Sequence, residues 1–429
     1  MYFTTNDIQA RRDRLAARWD QVLLSDEAVL VHSGKPIGRP GGLDQTYTFL
    51  PHPAYFWLTG RRREEEVVLY SRNTGWQEFQ KIPPPEQAVW EGEKVDLLVN
   101  EPGQTLEQLT GYLQAQGFKT LYQLGQSEQA VTGKAFELRT LLDQTRRVKD
   151  AAEVRLIREL AGIAAKGYAV IEKTVAPGIT EREIQVAYES EIYRQGAHTV
   201  PYDSIVGAGT NSAILHALPT LKKVGPQELV LVDAGADIYD YCVDITRTYV
   251  SGTPDSRQKA LYQLVLDVQL QCMALTKAGA WWRDIHGRAA TLFTQGLLEL
   301  GILKGSMDSL VEKEVVSLFF PHGLGHLVGL RVRDTGHEEN LSPKAYFGAR
   351  LRVDLQLEPG HLITVEPGLY FIKALLDDPA RIAPFKDNID FNELAHWKNI
   401  GGVRIEDNVL VTETGNENLT EAVYKAASL

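Results

Sequence analysis

Acidic residues set among apolar, β-branched runs constrain this chain more than any other feature. From Glu228 to Val250 it reads ELVLVDAGADIYDYCVDITRTYV, with Asp233 ending one apolar run and Asp244 inside a second. Runs of this kind form strands, and the small and acidic residues between them suit a turn. The predicted arrangement is a hairpin whose adjacent strands each present an acidic side chain toward a shared cavity. One aspartate at a strand end ordinarily serves a turn or a cap. Two, each flanked by apolar residues, would repel and titrate upward unless cations lay between them.

Two more carboxylates have similar settings. Glu366 in LITVEPGLYF closes an apolar run just before Pro-Gly, and Glu406 in GGVRIEDNVLV lies within a predicted strand. A buried mid-strand glutamate needs a partner. PHGLGHLVGLRVRDTG, residues 321–336, places His322 and His326 four apart among glycines. This is not a helical zinc site, because Gly323 and Gly325 disfavour helix and no glutamate follows His322. Singly, either histidine reads as an ordinary hydrogen-bonded core residue. Together with the four acids they make a different set. Four carboxylates need the charge of two divalent cations, and an oxygen-rich site with one imidazole suits Mn²⁺, with Co²⁺ and Zn²⁺ compatible. Two bridged metals would hold a hydroxide and steady a tetrahedral oxyanion, which is hydrolase chemistry.

Composition narrows the rest. A length of 429 residues allows two or three domains, and 44% hydrophobic content supplies sizeable cores. Lys and Arg number 45 against 56 Asp and Glu, a formal charge of −11, which argues against nucleic acid as a partner. The two cysteines, Cys242 and Cys272, form no framework, and the start MYFTTNDIQARRDRLAARWD reads as an amphipathic helix. No apolar run is long enough to span a bilayer. A cytoplasmic protein with no membrane or nucleic-acid partner is expected.

Along the chain, AVLVHSG, AYFWLTG and EEVVLYSR read as strands, TLEQLTGYLQAQG as a helix stopped by Gly117, and TLYQLG as another strand. These predict an N-terminal α/β domain over residues 1–150. In RRVKDAAEVRLIREL, Asp150 and Glu153 have capping-box spacing ahead of a helix with Val154, Ile157, Ala161, Ala164 and Tyr168 on one face. That helix opens a larger domain, 151–429. Within it PGITEREIQVAYE and KAGAWWRDIHGRAA share a glycine followed four residues later by Arg-(Glu/Asp)-Ile, at Gly178/Arg182 and Gly279/Arg283. Such an echo would suit a duplicated α/β unit, but from this match alone chance is the simpler explanation.

The ordered set DAG, VDITRT, HGLGH, VEPG and GGVRIED resembles the pita-bread metallopeptidases. Within them it is most similar to the Xaa-Pro branch, prolidase first and aminopeptidase P next. The resemblance covers roughly residues 155–429, includes the linker RRVKDAAEV, and extends loosely to PHPAYFWLTG. It implies an α/β (α+β) chain: a small N-terminal α/β domain of the creatinase/prolidase type, then a pita-bread catalytic domain. It implies Asp233, Asp244, His326, Glu366 and Glu406 as metal ligands, with Asp244 and Glu406 bridging. His322 would lie beside the substrate, His216 would steady the tetrahedral intermediate, and Glu366 would shuttle the proton. Tyr202 would line the pocket, Arg404 would support a ligand, and Arg352 would pair with a dipeptide's carboxylate.

The expected activity is therefore hydrolysis of Xaa-Pro bonds, chiefly in dipeptides, by a hydroxide bridging two divalent metals in a homodimer. The alternatives are an aminopeptidase acting on longer proline-containing peptides and a non-peptidase binding protein of the same fold. Methionine aminopeptidase and metal-free creatine hydrolysis fit less well. One position departs from the family. Seven residues after His326 the family reads Val-His-Asp, whereas this chain has Arg333 between Val332 and Asp334. An arginine donates hydrogen bonds but is no general base at neutral pH. Its charge needs an anion, Asp334, Asp354 or a substrate carboxylate; the last is expected, with Arg333 binding substrate by reinforcing recognition of a short acidic terminus. Alternatively His337 folds back into the gap, or the enzyme is slow on Xaa-Pro bonds.

Overall fold

A computed structural model describes residues 2–92, 103–125, 132–335 and 344–424. The chain divides into two compact units, Met1–Arg146 and Arg147–Leu429. His337, offered above as a residue that folds back beside Arg333, lies outside the described residues.

The first unit contains α1 (Thr5–Trp19), β1 (Glu27–His32), α2 (Pro53–Thr59), β2 (Val67–Ser71), β3 (Gly75–Gln80), α3 (Pro85–Glu91), β4 (Gln104–Thr105), α4 (Leu109–Gln116), β5 (Thr120–Leu124) and most of α5 (Gly133–Arg147). Its sheet has the order β4-β3-β2-β1-β5, with β1 antiparallel to β2 and parallel to β5. Alternate residues Ala28 and Leu30 of β1, with Val67, Leu69 and Phe79, pack against Leu109, Tyr112 and Leu113 of α4. Trp19 of α1 stacks near Tyr70 and Trp76 at 5.9 and 5.7 Å between ring centroids. The stretch AYFWLTG is a helix rather than a strand. His52 caps it, its ring nitrogen accepting from Ala54 N at 3.2 Å, Pro53 occupies the first turn, and Gly60 ends it with a left-handed φ of 67°. Every residue from Ala54 to Thr59 is buried, so no polar face marks its helical period.

The second unit starts with α6 (Ala151–Thr174) and α7 (Glu181–Arg194). The Asp150/Glu153 capping box forms, and all five residues of the predicted apolar face are buried. Strands β6 (Ile205–Ala208), β7 (Leu229–Asp233) and β10 (Thr246–Val250) make an antiparallel sheet in the order β10-β7-β6. Between β7 and β10 lies the smaller hairpin β8 (Ala236–Ile238) and β9 (Tyr241–Val243). The layout then recurs: α8 (Ser256–Leu275) and α9 (Trp282–Glu299) precede β11 (Leu362–Val365), β14 (Asp407–Val411) and β15 (Asn416–Asn418), ordered β11-β14-β15. A hairpin of β12 (Gly368–Tyr370) and β13 (Gly402–Arg404) lies between β11 and β14 in sequence. The two echoed motifs thus head equivalent helices, α7 and α9, and both glycines have positive φ. The echo reflects a repeated helix-pair-and-sheet layout rather than chance. A backbone bridge between Thr246 and Glu406 joins the two halves.

Candidate metal centre

The carboxylates converge where strands of both halves end. Asp233 is the last residue of β7 and stands opposite Thr246 of β10. Asp244 lies in the break between β9 and β10, not within a strand, and Asn408 of β14 holds it by a pair of bonds to its backbone: Asp244 N donates to Asn408 Oδ1 at 3.0 Å, and Asn408 Nδ2 donates to Asp244 O. Glu366 follows β11 directly, and Glu406 sits between β13 and β14. Beneath them Tyr168 of α6 places its hydroxyl on the backbone oxygens of Ala234 (3.2 Å) and Ile245 (2.5 Å), one residue from each aspartate. The apolar helix face thereby sets the position of the acidic strand ends.

His326 is brought to the acids by Gly325. A Cβ at that position would lie 1.9 Å from Thr364 O, so only glycine lets the two segments pack. Gly323 has no such role, since its Cβ would make an ordinary contact with Leu351. His326 Nδ1 faces the Leu327 carbonyl at 3.1 Å and must carry the proton there. The lone pair of Nε2 then points at Asp244 (3.3 Å) and Glu366 (3.6 Å). A lone pair and two carboxylates repel unless a proton or a metal lies between them.

Asp233, Asp244, His326 and Glu406 are 8%, 6%, 4% and 1% exposed. Burial, working against Arg404 and joined by repulsion from Asp244, pushes Asp233 up to about 7. Burial followed by the charges of Asp244, Glu366 and Asp233 holds Glu406 well above the ordinary carboxylate range. Burial would raise Asp244 as well, but a proton shared with His326, the Tyr202 hydroxyl and the charge of Arg333 together hold it low. Glu406 Oε2 accepts from Thr246 Oγ1 at 2.6 Å, while its Oε1 is buried without a hydrogen-bond partner among the described residues. Donor atoms of Asp244, His326 and Glu406 all lie within 4.8 Å of one another. An orphaned carboxylate oxygen, a bare imidazole nitrogen and clustered acids are the donor set of a divalent cation. The residues fit one.

A single cavity of about 300 Å³ contains Asp233, Asp244, His326, Glu366 and Glu406 in its lining, together with His216, His322, Arg333, Arg352 and Arg404. A model of metallopeptidase family M24 matches residues 155–413. The chain belongs to that family. A probable Xaa-Pro aminopeptidase of Emericella nidulans is 34% identical over 412 residues, covering 88% of this chain and 87% of the relative. One from Neosartorya fischeri is 34% identical over 406 residues, with 88% and 87% covered. Among solved structures, the aminopeptidase PepP of Pseudomonas aeruginosa matches with a TM-score of 0.80 at 25% identity, over 99% of this chain and 97% of that one. Proline aminopeptidase P II from Yersinia pestis matches with 0.80 at 26%, over 98% and 97%. The architecture is the α/β pita-bread fold of these enzymes preceded by an N-terminal domain, and the chain is a metallopeptidase.

In this M24 cavity the remaining residues take distinct places. Arg404 Nη2 pairs with Asp233 at 2.6 Å, its Nε donates to Thr246 Oγ1 at 3.1 Å, and its Nη1 donates to Tyr370 at 2.9 Å. It is committed to protein groups rather than free for substrate. Tyr202 is absent from the cavity lining. Its hydroxyl lies 2.7 Å from Asp233 Oδ1 and 2.5 Å from Asp244 Oδ1, so it braces the aspartate pair. His322 Nδ1 faces the Gly323 carbonyl at 2.8 Å and carries the proton, leaving Nε2 to accept from the Tyr370 hydroxyl at 2.8 Å. Burial keeps this ring below the usual histidine range, hence neutral. A relay Asp233–Arg404–Tyr370–His322 results, and Tyr370 is the member that sequence reading missed. Its setting in GLYF looks like plain strand.

Glu181 was missed because an acid in the first turn of a helix is ordinary. Fully buried at the start of α7, it accepts from Ala208 N, Asn211 Nδ2, Thr220 N and Thr220 Oγ1 at 2.6–3.1 Å. It thereby shapes the loop that carries His216. Burial, then Arg404, Arg333 and Arg352, push the His216 ring below its usual range. The buried pair Arg247–Asp407 (2.7 Å) also escaped notice, though Arg247 holds the carbonyl of Glu406 at 2.7 Å.

Proposed function

We propose that this M24 member is an Xaa-Pro aminopeptidase, releasing the N-terminal residue that precedes proline. The observation that carries the reading is the joining of five metal-type donors, His216 and His322 in one cavity of a chain whose relatives over most of its length bear that name. Relatives of this kind support the aminopeptidase reading over the dipeptidase reading that the sequence put first. Intact donors in a formed cavity also disfavour a non-enzymatic binding protein.

Asp233, Asp244, His326, Glu366 and Glu406 would hold two divalent cations, with Mn²⁺ favoured by four oxygen donors and one imidazole. Such cations, when bound, supply Lewis acidity toward the scissile carbonyl and make water a nucleophile at neutral pH. The chain's own groups do the rest. Glu366 accepts the proton of the attacking water and passes it to the prolyl nitrogen. His216, neutral at pH 7, donates a hydrogen bond to the developing oxyanion. His322, whose tautomer is set by Gly323 and Tyr370, presents its ring beside the peptide. Arg404 holds Asp233 in place through its ion pair. A homodimer acting in the cytoplasm belongs to the same proposal.

Product analysis tests the reading. With Mn²⁺, Ala-Pro-Ala should yield alanine and Pro-Ala, while Ala-Ala-Ala should remain intact. Cleavage of both peptides at equal rates would sink the proline requirement. Cleavage of Ala-Pro alone, with every longer peptide untouched, would restore the dipeptidase reading.

A further inference from the structure

Glu181 is a fully buried carboxylate outside the acidic cluster, and the reaction makes no direct use of it. Its bonds run to both ends of one loop. Oε1 accepts from Ala208 N at 2.9 Å and Asn211 Nδ2 at 2.8 Å, where the loop leaves β6. Oε2 accepts from Thr220 N at 3.1 Å and Thr220 Oγ1 at 2.6 Å, where the chain returns. The first turn of α7 fastens the same return. Glu181 N donates to Lys222 O at 3.1 Å, and Arg182 N donates to Thr220 O at 3.0 Å. Arg182 Nη2 adds a bond to Pro219 O at 2.9 Å. Between the two ends lie Leu215 and His216, both in the lining of the catalytic cavity.

Apolar packing does not account for this loop's position. Ile214, Leu218 and Leu221 are each more than half exposed, so hydrophobic burial would favour a different position. Ala213 and Ala217 do pack on Ile205, Leu231 and Tyr370, but alanine side chains bury little area. A carboxylate with four donors is a stronger restraint, since releasing the loop would leave it buried and unsatisfied. A second support comes from the other half of the unit. Gly402 N donates to Ser212 Oγ at 2.9 Å, and a Cβ at Gly401 would lie 2.1 Å from that oxygen. The loop is thereby held between α7 and β13, the strand that ends at Arg404 just before Glu406.

We propose that Glu181 is a positioning residue for catalysis: by clasping Ala208 and Asn211 to Thr220, it holds His216 where the scissile carbonyl develops its negative charge. The role rests on the Xaa-Pro reading, in which His216 donates to that oxyanion. Glu181 acts through the loop and not on the substrate.

The test is a double-mutant cycle read by Ala-Pro-Ala turnover with Mn²⁺. Glu181→Gln keeps the shape but turns one acceptor oxygen into a donor, so one end of the loop loses its hold. It should lower kcat by roughly ten-fold while KM changes less than about two-fold. His216→Ala should lower kcat by roughly a hundred-fold, the effect of removing one oxyanion donor. In that background Glu181→Gln should cost less than about two-fold more, because the residue it positions is gone. Thr220→Val removes the hydroxyl donor alone, and it serves in place of Glu181→Gln should that variant not fold. Its loss should be smaller, with the same dependence on His216. An equal loss with and without His216, or an unchanged kcat in Glu181→Gln, would overturn the proposal. Hydrogen exchange separates this outcome from failure of the Xaa-Pro reading. Amides of residues 209–222 should exchange faster in Glu181→Gln than in wild type, with those of α6 unchanged. If wild type cleaves no Xaa-Pro peptide yet exchange changes in this way, the activity reading falls and the clasp stands. Unchanged exchange across 209–222, or equal acceleration in α6, sinks the clasp.

Discussion

At the scale of single residues, the site depends on groups that hold other groups still. Arg404 illustrates this: it touches Asp233, Thr246 and Tyr370, and through Tyr370 it settles the tautomer of His322. Arg404→Met should leave Asp233 without its cation and lower metal affinity or turnover by roughly ten- to a hundred-fold. Metal titration followed by turnover at saturating Mn²⁺ separates the two effects, and unchanged values in both would reduce Arg404 to a passive filler. Most of the residues that sequence singled out share this cavity because carboxylates in apolar runs have few other uses. What sequence did not disclose is the partner of each: Tyr370, Thr246 and Glu181 are common residue types in unremarkable strand or cap contexts, and only folding shows what their polar atoms meet. Tyr202 was expected beside the pocket, and the structure adds its partners, the carboxylates of Asp233 and Asp244.

Elements position these residues through a few close backbone approaches and one buried ion pair. Segment 321–328 lies against β11 because Gly325 has no side chain, with Thr364 N donating to His326 O at 2.8 Å and His326 N donating to Thr364 Oγ1 at 3.0 Å. Gly325→Ala should cost roughly 3 kcal/mol, the upper end of overpacking penalties, because the atom it meets is backbone and cannot swing aside. Denaturant midpoints measure this, and a change under roughly 0.5 kcal/mol would mean the segments separate easily. Arg247 and Asp407 are 2% and 0% exposed at the side chain, and Arg247 also holds the Thr246 and Glu406 carbonyls. Arg247→Met leaves Asp407 buried and unpaired, which should destabilise the protein by about 3–5 kcal/mol. Strands were readable where one or both faces are apolar and turns flank them. PAYFWLT was not, because a helix buried on all sides has the composition of a strand, and its caps, His52 and Gly60, are weak signals in sequence.

At the scale of the whole molecule, the second unit repeats one layout, and the acidic cluster sits where the two copies meet at Thr246 and Glu406. Each half contributes two carboxylates: Asp233 and Asp244 from the first, Glu366 and Glu406 from the second. Such a seam is costly without cations, because buried acids of both halves then face one another. Metal binding should therefore stabilise the fold as well as enable turnover. At a free Mn²⁺ concentration a hundred times its Kd, the added stability should be about 2.7 kcal/mol. Glu406→Gln, which removes one charge at the seam and keeps its shape, should lessen both metal occupancy and rate. The most direct test of the central claim is turnover of Ala-Pro-Ala by metal-stripped protein during titration with Mn²⁺, with the melting temperature followed in the same samples. No alanine should be released in excess chelator, and release should recover together with a rising melting temperature as Mn²⁺ is added. Undiminished turnover and an unchanged melting curve in excess chelator would contradict that claim.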